Sequence, residues 1–333
     1  MSSAVYLDDI VMKRESKSFT DSLYAVLTAA HLFEGPKYML SGLSGMAFKF
    51  TVHEQLLPMS VTAYGQWGIT HQPAVDNLGV YTVSDSGRTR HPTFNTYQQE
   101  AIKWVKESLD SGIGVIYWIP EFGVIHGYDD ADQVFFVLNG WSDESQVLLY
   151  DNFGVNDTPF WYCQLVGGKV EVDRKEMVLE SLRLAITDWE TPYRTLPYTD
   201  IASGRLAYSY LIRALEQGQY HESGAVYILN AYRYSRMEIM AYLRDVHDLF
   251  KDLREAYDMY KQLVHDISAI SSCFVTTGQT EKIDLTYIPK LTAILQAAKQ
   301  YEEQAIEQFK MVSDQYPDLK RFTVPRWGSH APR

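Results

Sequence analysis

A long apolar seam in the last third of the chain is the feature that most constrains the fold. Between residues 225 and 270, apolar side chains recur alternately three and four positions apart, at Leu243, Val246, Phe250, Leu253, Tyr257, Tyr260, Val264 and Ile267. This spacing predicts one long helix with a coiled-coil stripe. A second helix, predicted over 288–312, repeats the spacing, and Glu302 interrupts it once. Because a single loop around Gly278 joins the two helices, we expect them to pair antiparallel.

The first half of the chain has a different pattern. Four short apolar runs follow one another closely, at 115–119, 122–127, 134–138 and 146–151, and turn-forming residues separate them. Short runs joined by short turns predict an antiparallel meander. Helices are predicted over 21–31, 96–108 and 201–216. The sequence therefore predicts an α+β domain over 1–190 and a helical domain over 191–333, which suits a length of 333 residues.

The net charge of the chain limits the classes of partner that it can bind. The net charge is −12, and both nucleic acid and an anionic membrane require a basic surface, so we expect neither as a partner. The acidic surface is compatible with a cationic ligand such as an amine, although it is also typical of plain solubility. The chain has only two cysteines and no apolar stretch of the length that a membrane span needs. We therefore expect a cytoplasmic protein without a structural zinc site.

Ser22 is the first candidate for chemistry. It lies near the start of an apolar helix, close to the N-terminus, where papain-like enzymes carry their nucleophile, and a helix N-terminus favours negative charge. A serine there needs an adjacent base. The alternative interpretation is structural: Thr20, Asp21 and Ser22 are all residues that commonly cap a helix.

Two carboxylates are the remaining candidates. Glu121 follows Pro120 at the start of an apolar strand, where it could serve as a general base, bind a cation or simply lie in solvent. Asp151 ends the last run of the meander, where it could orient a base or start a turn.

The first-half histidines, His71, His91 and His126, have no partner at a diagnostic spacing, and we interpret each as a surface or satisfied core residue. The acids at 129–132 lack the spacing of a calcium loop. The segment at 42–45 lacks the Lys-Ser/Thr ending of a phosphate loop. No cofactor is predicted.

Several segments occur in an order that resembles a known family. They are the helix beginning Asp21-Ser22-Leu23, then Gly45-Met46-Ala47-Phe48, then Gly127-Tyr128-Asp129-Asp130, then the strand ending at Asp151. Together they resemble the N-terminal domain of the butirosin biosynthesis protein H family, which is related to papain-like and C39-type cysteine peptidases. The resemblance covers about the first 160 residues and implies a papain-like fold. Its cysteine falls on Ser22, its histidine on Glu121 and its aspartate on Asp151, so two of the three positions depart from the family pattern.

The resemblance implies an acyltransferase of secondary-metabolite biosynthesis, or an amide-forming or amide-cleaving relative. An acyl group would pass from a carrier-protein thioester to an amine-bearing small molecule through an acyl-enzyme at position 22. Ser22 could be natural or could replace a cysteine, and the register could be shifted by a few residues. The alternative is a catalytically inactive binding or assembly protein. If the helical seam closes between two chains, it predicts a homodimer.

Overall fold

The computed structural model describes residues 4–194, 198–278 and 280–317. The predicted helical domain includes 195–197, 279 and 318–333, which lie outside the described residues. The strands are β1 (Ala4–Tyr6), β2 (Thr51–His53), β3 (Val80–Arg88), β4 (Val115–Trp118), β5 (Phe122–Asp129), β6 (Val134–Leu138), β7 (Gln146–Leu149), β8 (Phe160–Lys169), β9 (Ile201–Ser203), β10 (Phe274–Thr277) and β11 (Thr280–Ile283). The helices are α1 (Ser18–Ala29), α2 (Lys37–Leu43), α3 (Trp67–Asp76), α4 (Phe94–Asp110), α5 (Arg174–Glu190), α6 (Arg205–Gln217), α7 (Glu222–Val246), α8 (Leu253–Ile267) and α9 (Ile288–Gln315).

The chain forms two compact units, and each draws on two stretches of sequence. Unit 1 comprises residues 1–40 and 78–171, and unit 2 comprises 41–77 and 172–333. The predicted division at residue 190 differs from this grouping. The reason is a non-local pairing: β2 pairs antiparallel with β9, about 150 residues later, and so joins 41–77 to the helical part.

Unit 1 is built on a seven-stranded sheet. Its strand order is β3-β8-β4-β5-β6-β7, and β1 pairs with the second half of β5. All pairings are antiparallel, and β4 to β7 follow one another in sequence order, which confirms the predicted meander. The mixed helix and antiparallel-sheet character is therefore as expected.

A helix lies on each face of this sheet. Successive strand residues point to opposite sides, so the sheet offers side chains to both helices. On one face, α4 packs its apolar side over a core that includes Tyr117, Ile125 and Cys163. On the other face, Phe19 of α1 meets the ring of Phe122, with a centroid separation of 5.5 Å. The first turn of α1 thereby lies against the start of β5.

Unit 2 is mainly helical, and its central pair confirms the predicted antiparallel arrangement of α8 and α9. Lys290, near the start of α9, hydrogen-bonds Ser272 just after α8, whereas Gln315 at the end of α9 hydrogen-bonds Asp252 just before α8. Their middles meet where Tyr260 donates to Glu302. The interruption that Glu302 makes in the apolar seam is therefore a buried polar contact.

Two predicted helices need correction. The single helix over 225–270 is wrong: α7 ends at Val246 and α8 begins at Leu253. Val246, Phe250 and Leu253 are all buried across the break, so the apolar spacing continues although the backbone does not remain helical. The helix predicted over 201–216 begins later, at Arg205, because residues 201–203 form β9.

No helix among the described residues is both long enough and apolar enough to cross a membrane.

Candidate functional site

Helix α1 begins at Ser18, three residues before the predicted start, with Lys17 as its N-cap. Asp21 does not cap the helix, because its carboxylate is engaged elsewhere. One oxygen lies 2.6 Å from Lys37 Nζ, and the other accepts a hydrogen bond from the Glu15 amide at 3.0 Å. Ser18 therefore opens α1, and Ser22 lies one turn further along.

Ser22 is fully buried, and its hydroxyl contacts a sulfur atom. Its Oγ lies 3.7 Å from Met12 Sδ, within hydrogen-bonding range of sulfur. A thioether is only a weak acceptor and cannot take up a proton as a general base. None of the hydrogen bonds of the described residues joins Ser22 to Glu121 or Asp151, so the geometry gives Ser22 no base.

Ser18 occupies the position that was predicted for Ser22. It is the first residue of α1, it is buried, and its hydroxyl donates a short hydrogen bond to Oε2 of Glu121. Glu121 lies in the tight turn between β4 and β5, which the Ile119 amide closes by donating to the Glu121 carbonyl at 2.9 Å. The Glu121 side chain retains 18% exposure. Glu121 therefore lies next to a strand start, as predicted, and the helix residue that its carboxylate contacts is Ser18.

Arg14 completes this cluster. Its Nη1 lies 4.0 Å from Glu121 Oε2, its Nη2 donates to the Asn139 carbonyl at 2.6 Å, and its guanidinium lies over the Trp141 ring. The Nε and Nη1 atoms are buried without a hydrogen-bond acceptor. An unsatisfied buried donor costs about 1–3 kcal/mol, so Arg14 keeps hydrogen-bonding capacity for another group. We call Arg14, Ser18 and Glu121 the serine–glutamate cluster.

Asp151 lies away from this cluster. It follows β7 in the turn Tyr150–Asn152, with an exposed side chain, and its carbonyl accepts from Gln98. In the strand register, Val134 faces both Leu149 at the end of β7 and Asp129 at the end of β5. Glu121 precedes the opposite end of β5, eight residues before Asp129 and about 26 Å along the strand at 3.3 Å per residue. The strand register therefore separates Asp151 from Glu121, although the two residues were predicted to line one cleft.

The three histidines considered for acid–base work, His71, His91 and His126, are all engaged outside the serine–glutamate cluster. His126 has its two ring nitrogens 2.7 Å from Ser145 Oγ and 3.3 Å from the Leu7 carbonyl, and burial lowers its pKa. His91 is exposed and contacts Thr93. His71 is enclosed in unit 2 beside Tyr64. These placements confirm surface and satisfied-core positions, and no histidine within 4–194, 198–278 and 280–317 hydrogen-bonds Ser18 or Ser22.

The residues that the structure describes contain no group of three or more His, Cys, Asp or Glu side chains placed to hold a metal ion. Both cysteines are free and buried.

The role of Ser18 was missed because the helix start was misplaced. A signal was nevertheless present in the sequence, since Ser16-Lys17-Ser18 precedes the apolar helix and supplies another polar residue of the right type.

No family model matches the chain. No curated protein matches it either.

Proposed function

We propose that this chain is a binding protein that keeps a papain-like arrangement of helix and sheet without acyl-transfer chemistry. The observation that carries the proposal is the environment of its two candidate serines. Ser22 is sealed against Met12, and Ser18 donates to a carboxylate whose cleft includes no imidazole partner for that serine. A serine hydroxyl is a weak nucleophile unless an adjacent base activates it.

The unsatisfied donors of Arg14 support binding at the same place. Its Nε and Nη1 are buried beside a partly exposed carboxylate, so the serine–glutamate cluster offers both donors and an acceptor to a polar ligand. The free, buried cysteines suit a reducing compartment, and we include a cytoplasmic location in the proposal.

A second candidate function is acyl transfer through Ser18. It is favoured by the position of Ser18 at the start of α1, where the helix dipole stabilises negative charge. In that mechanism Ser18 Oγ bonds to the carbonyl carbon of a carrier-protein thioester and the C–S bond breaks. The serine proton passes to Glu121 and then to the departing thiolate. In the second step the amine nitrogen bonds to the acyl carbon, the C–O bond to Ser18 breaks, and a proton of the amine passes through Glu121 to the serine oxygen.

Intact mass after incubation with a panel of acyl thioesters separates the two functions. The unmodified chain is compared with Ser18→Cys and Ser22→Cys, all with Cys163 and Cys273 changed to Ala, and folding is checked by circular dichroism. We expect no adduct on the unmodified chain. We expect Ser18→Cys to acylate faster than Ser22→Cys, because both positions are buried but Ser18 adjoins the partly exposed Glu121, whereas Ser22 adjoins Met12.

An adduct on the unmodified chain, mapped by peptide digestion to Ser18, would overturn the binding proposal in favour of acyl transfer. Glu121→Gln in the unmodified background is the matched control, since loss of that adduct would assign the base. Asp151→Asn should leave every result unchanged, because Asp151 lies at the other end of the sheet.

A further inference from the structure

Unit 1 contains a groove that the serine–glutamate cluster does not use. It lies between edge strand β3 and helix α4, has a volume of about 420 Å³, and is lined by residues that include Tyr81, Val83, Asp85, Trp104 and Glu107. Small-molecule sites typically have volumes of roughly 300–1,000 Å³. The groove exists because β3 is the last strand of the sheet on this side and extends beyond the cover that α4 provides.

Aromatic rings form part of its walls, and the backbone is shaped to hold one of them. The Tyr81 ring lies against Gly167 on the neighbouring strand, so close that a Cβ at Gly167 would fall 2.2 Å from Tyr81 Cε2. Tyr81 is nevertheless 52% exposed, which leaves much of its ring open to a ligand. Trp104 packs its inner side on the sheet core. Aromatic faces attract cations through their negative quadrupole.

Two carboxylates in the groove have no cationic partner. Among residues 4–194, 198–278 and 280–317, neither Asp85 nor Glu107 forms an ion pair. The lysines of α4 on either side of Trp104 are committed elsewhere: Lys103 to Glu100 at 2.7 Å, and Lys106 to Asp130 at 2.6 Å. Asp85 lies opposite Cys163, and burial together with this negative charge raises the pKa of the Cys163 thiol to about 12. The groove therefore carries uncompensated negative charge.

We infer that this groove binds a small molecule that joins an ammonium group to an apolar body. The carboxylates Asp85 and Glu107 would pair with the ammonium, and Tyr81, Val83 and Trp104 would contact the apolar part. This assignment goes beyond the proposed function, because none of the residues that line the groove belongs to the serine–glutamate cluster. An ion pair at such a partly open site weakens as salt is added, because exposed charges are screened.

Calorimetric titration with 2-phenylethylammonium tests the assignment, with 2-phenylethanol as the neutral analogue of the same shape. We expect saturable binding of the ammonium, at least tenfold weaker binding of the alcohol, and weaker ammonium binding at high salt. Asp85→Asn and Glu107→Gln should each weaken ammonium binding about fivefold and leave alcohol binding unchanged. Asp132→Asn is the control, because Asp132 is an exposed carboxylate of unit 1 outside the groove, and this variant should bind like the unmodified chain.

Equal affinity for the ammonium and the alcohol, or unchanged affinity in both Asp85→Asn and Glu107→Gln, would overturn the groove as a cation site. Tyr81→Ala supplies a second variant: it should weaken both ligands, and unchanged binding would place them elsewhere. The result is separable from the acylation test. An acyl adduct at Ser18 would refute the binding-only function without altering these titrations, and failed titrations would leave the acylation result as it stands.

Discussion

The serine–glutamate cluster of unit 1 and the surroundings of Glu302 in unit 2 are made from the same chemical groups. Each has an arginine, a carboxylate and hydroxyl donors. In unit 2, Glu302 and Arg236 are each only 2% exposed, and Arg236 Nε and Nη2 lie 2.8 and 2.9 Å from the two carboxylate oxygens. In unit 1, the corresponding distance is 4.0 Å, and Glu121 is 18% exposed.

The Glu302 carboxylate also accepts hydrogen bonds from buried tyrosines. Glu302 accepts hydrogen bonds from Tyr208 and Tyr260, and Tyr208 also contacts the Tyr232 hydroxyl. Burial opposes the charge on Arg236, but Glu302 and the tyrosines outweigh it and raise the arginine pKa. A buried network of this kind joins helices together, whereas in unit 1 the arginine and the carboxylate lie 4.0 Å apart. The same side chains therefore form a close, buried ion pair in unit 2 and a longer, partly exposed pair in unit 1.

The largest expected effect comes from Glu302→Gln. Removing the negative charge leaves the Arg236 cation buried without a counter-ion, and breaking such a pair costs about 3–5 kcal/mol. Urea unfolding should show this loss in the free energy of unfolding. Glu303→Gln, next to it on α9, is the matched control: its partner Arg205 is 61% exposed, so less than about 1 kcal/mol should be lost. Equal losses of unfolding free energy in the two variants would refute the stabilising role of the Glu302–Arg236 pair.

A smaller effect should come from His71, a buried group of unit 2 whose Nε2 lies 2.6 Å from the Tyr64 hydroxyl. Burial, assisted by the Lys49 cation, lowers the pKa of His71 well below 6.5. In the unfolded chain this histidine takes up a proton as the pH falls through 6.5, whereas in the folded chain it stays neutral. Its contribution to stability is therefore present above pH 6.5 and is lost below it, by at most about 1.4 kcal/mol per pH unit.

Unfolding free energies measured between pH 7.5 and 5 test this prediction. His71→Gln should show a shallower loss of stability toward acid than the unmodified chain. His91→Gln is the control, because His91 is exposed. If His71→Gln and the unmodified chain lose stability with the same slope, His71 is not the group that couples folding to protons.

The sequence predicted local elements well where the pattern alone decides them. The meander strands and α9 match within a few residues, because alternating or heptad spacing and turn residues are local properties. The break between α7 and α8 was missed for the same reason, since Val246, Phe250 and Leu253 keep their spacing and remain buried across it.

The candidate site was predicted only in part, because its geometry depends on distant pairings. Glu121 was placed correctly at a strand start, but its contact with Ser18 joins residues that are 103 positions apart in the chain. The position of Asp151 depends on the register of three strands. The groove beside Tyr81 requires β3 to pair with β8, about 80 residues further along the chain.

Paired double-mutant cycles test the comparison between the two units most directly. One cycle combines Arg236→Met with Glu302→Gln, the other combines Arg14→Met with Glu121→Gln, and each is read as a coupling in the free energy of unfolding. We predict a coupling of about 2–3 kcal/mol for Arg236 and Glu302, and below about 1 kcal/mol for Arg14 and Glu121. Equal couplings, or a larger one for Arg14 and Glu121, would contradict the distinction between the close, buried ion pair of unit 2 and the longer, partly exposed pair of unit 1.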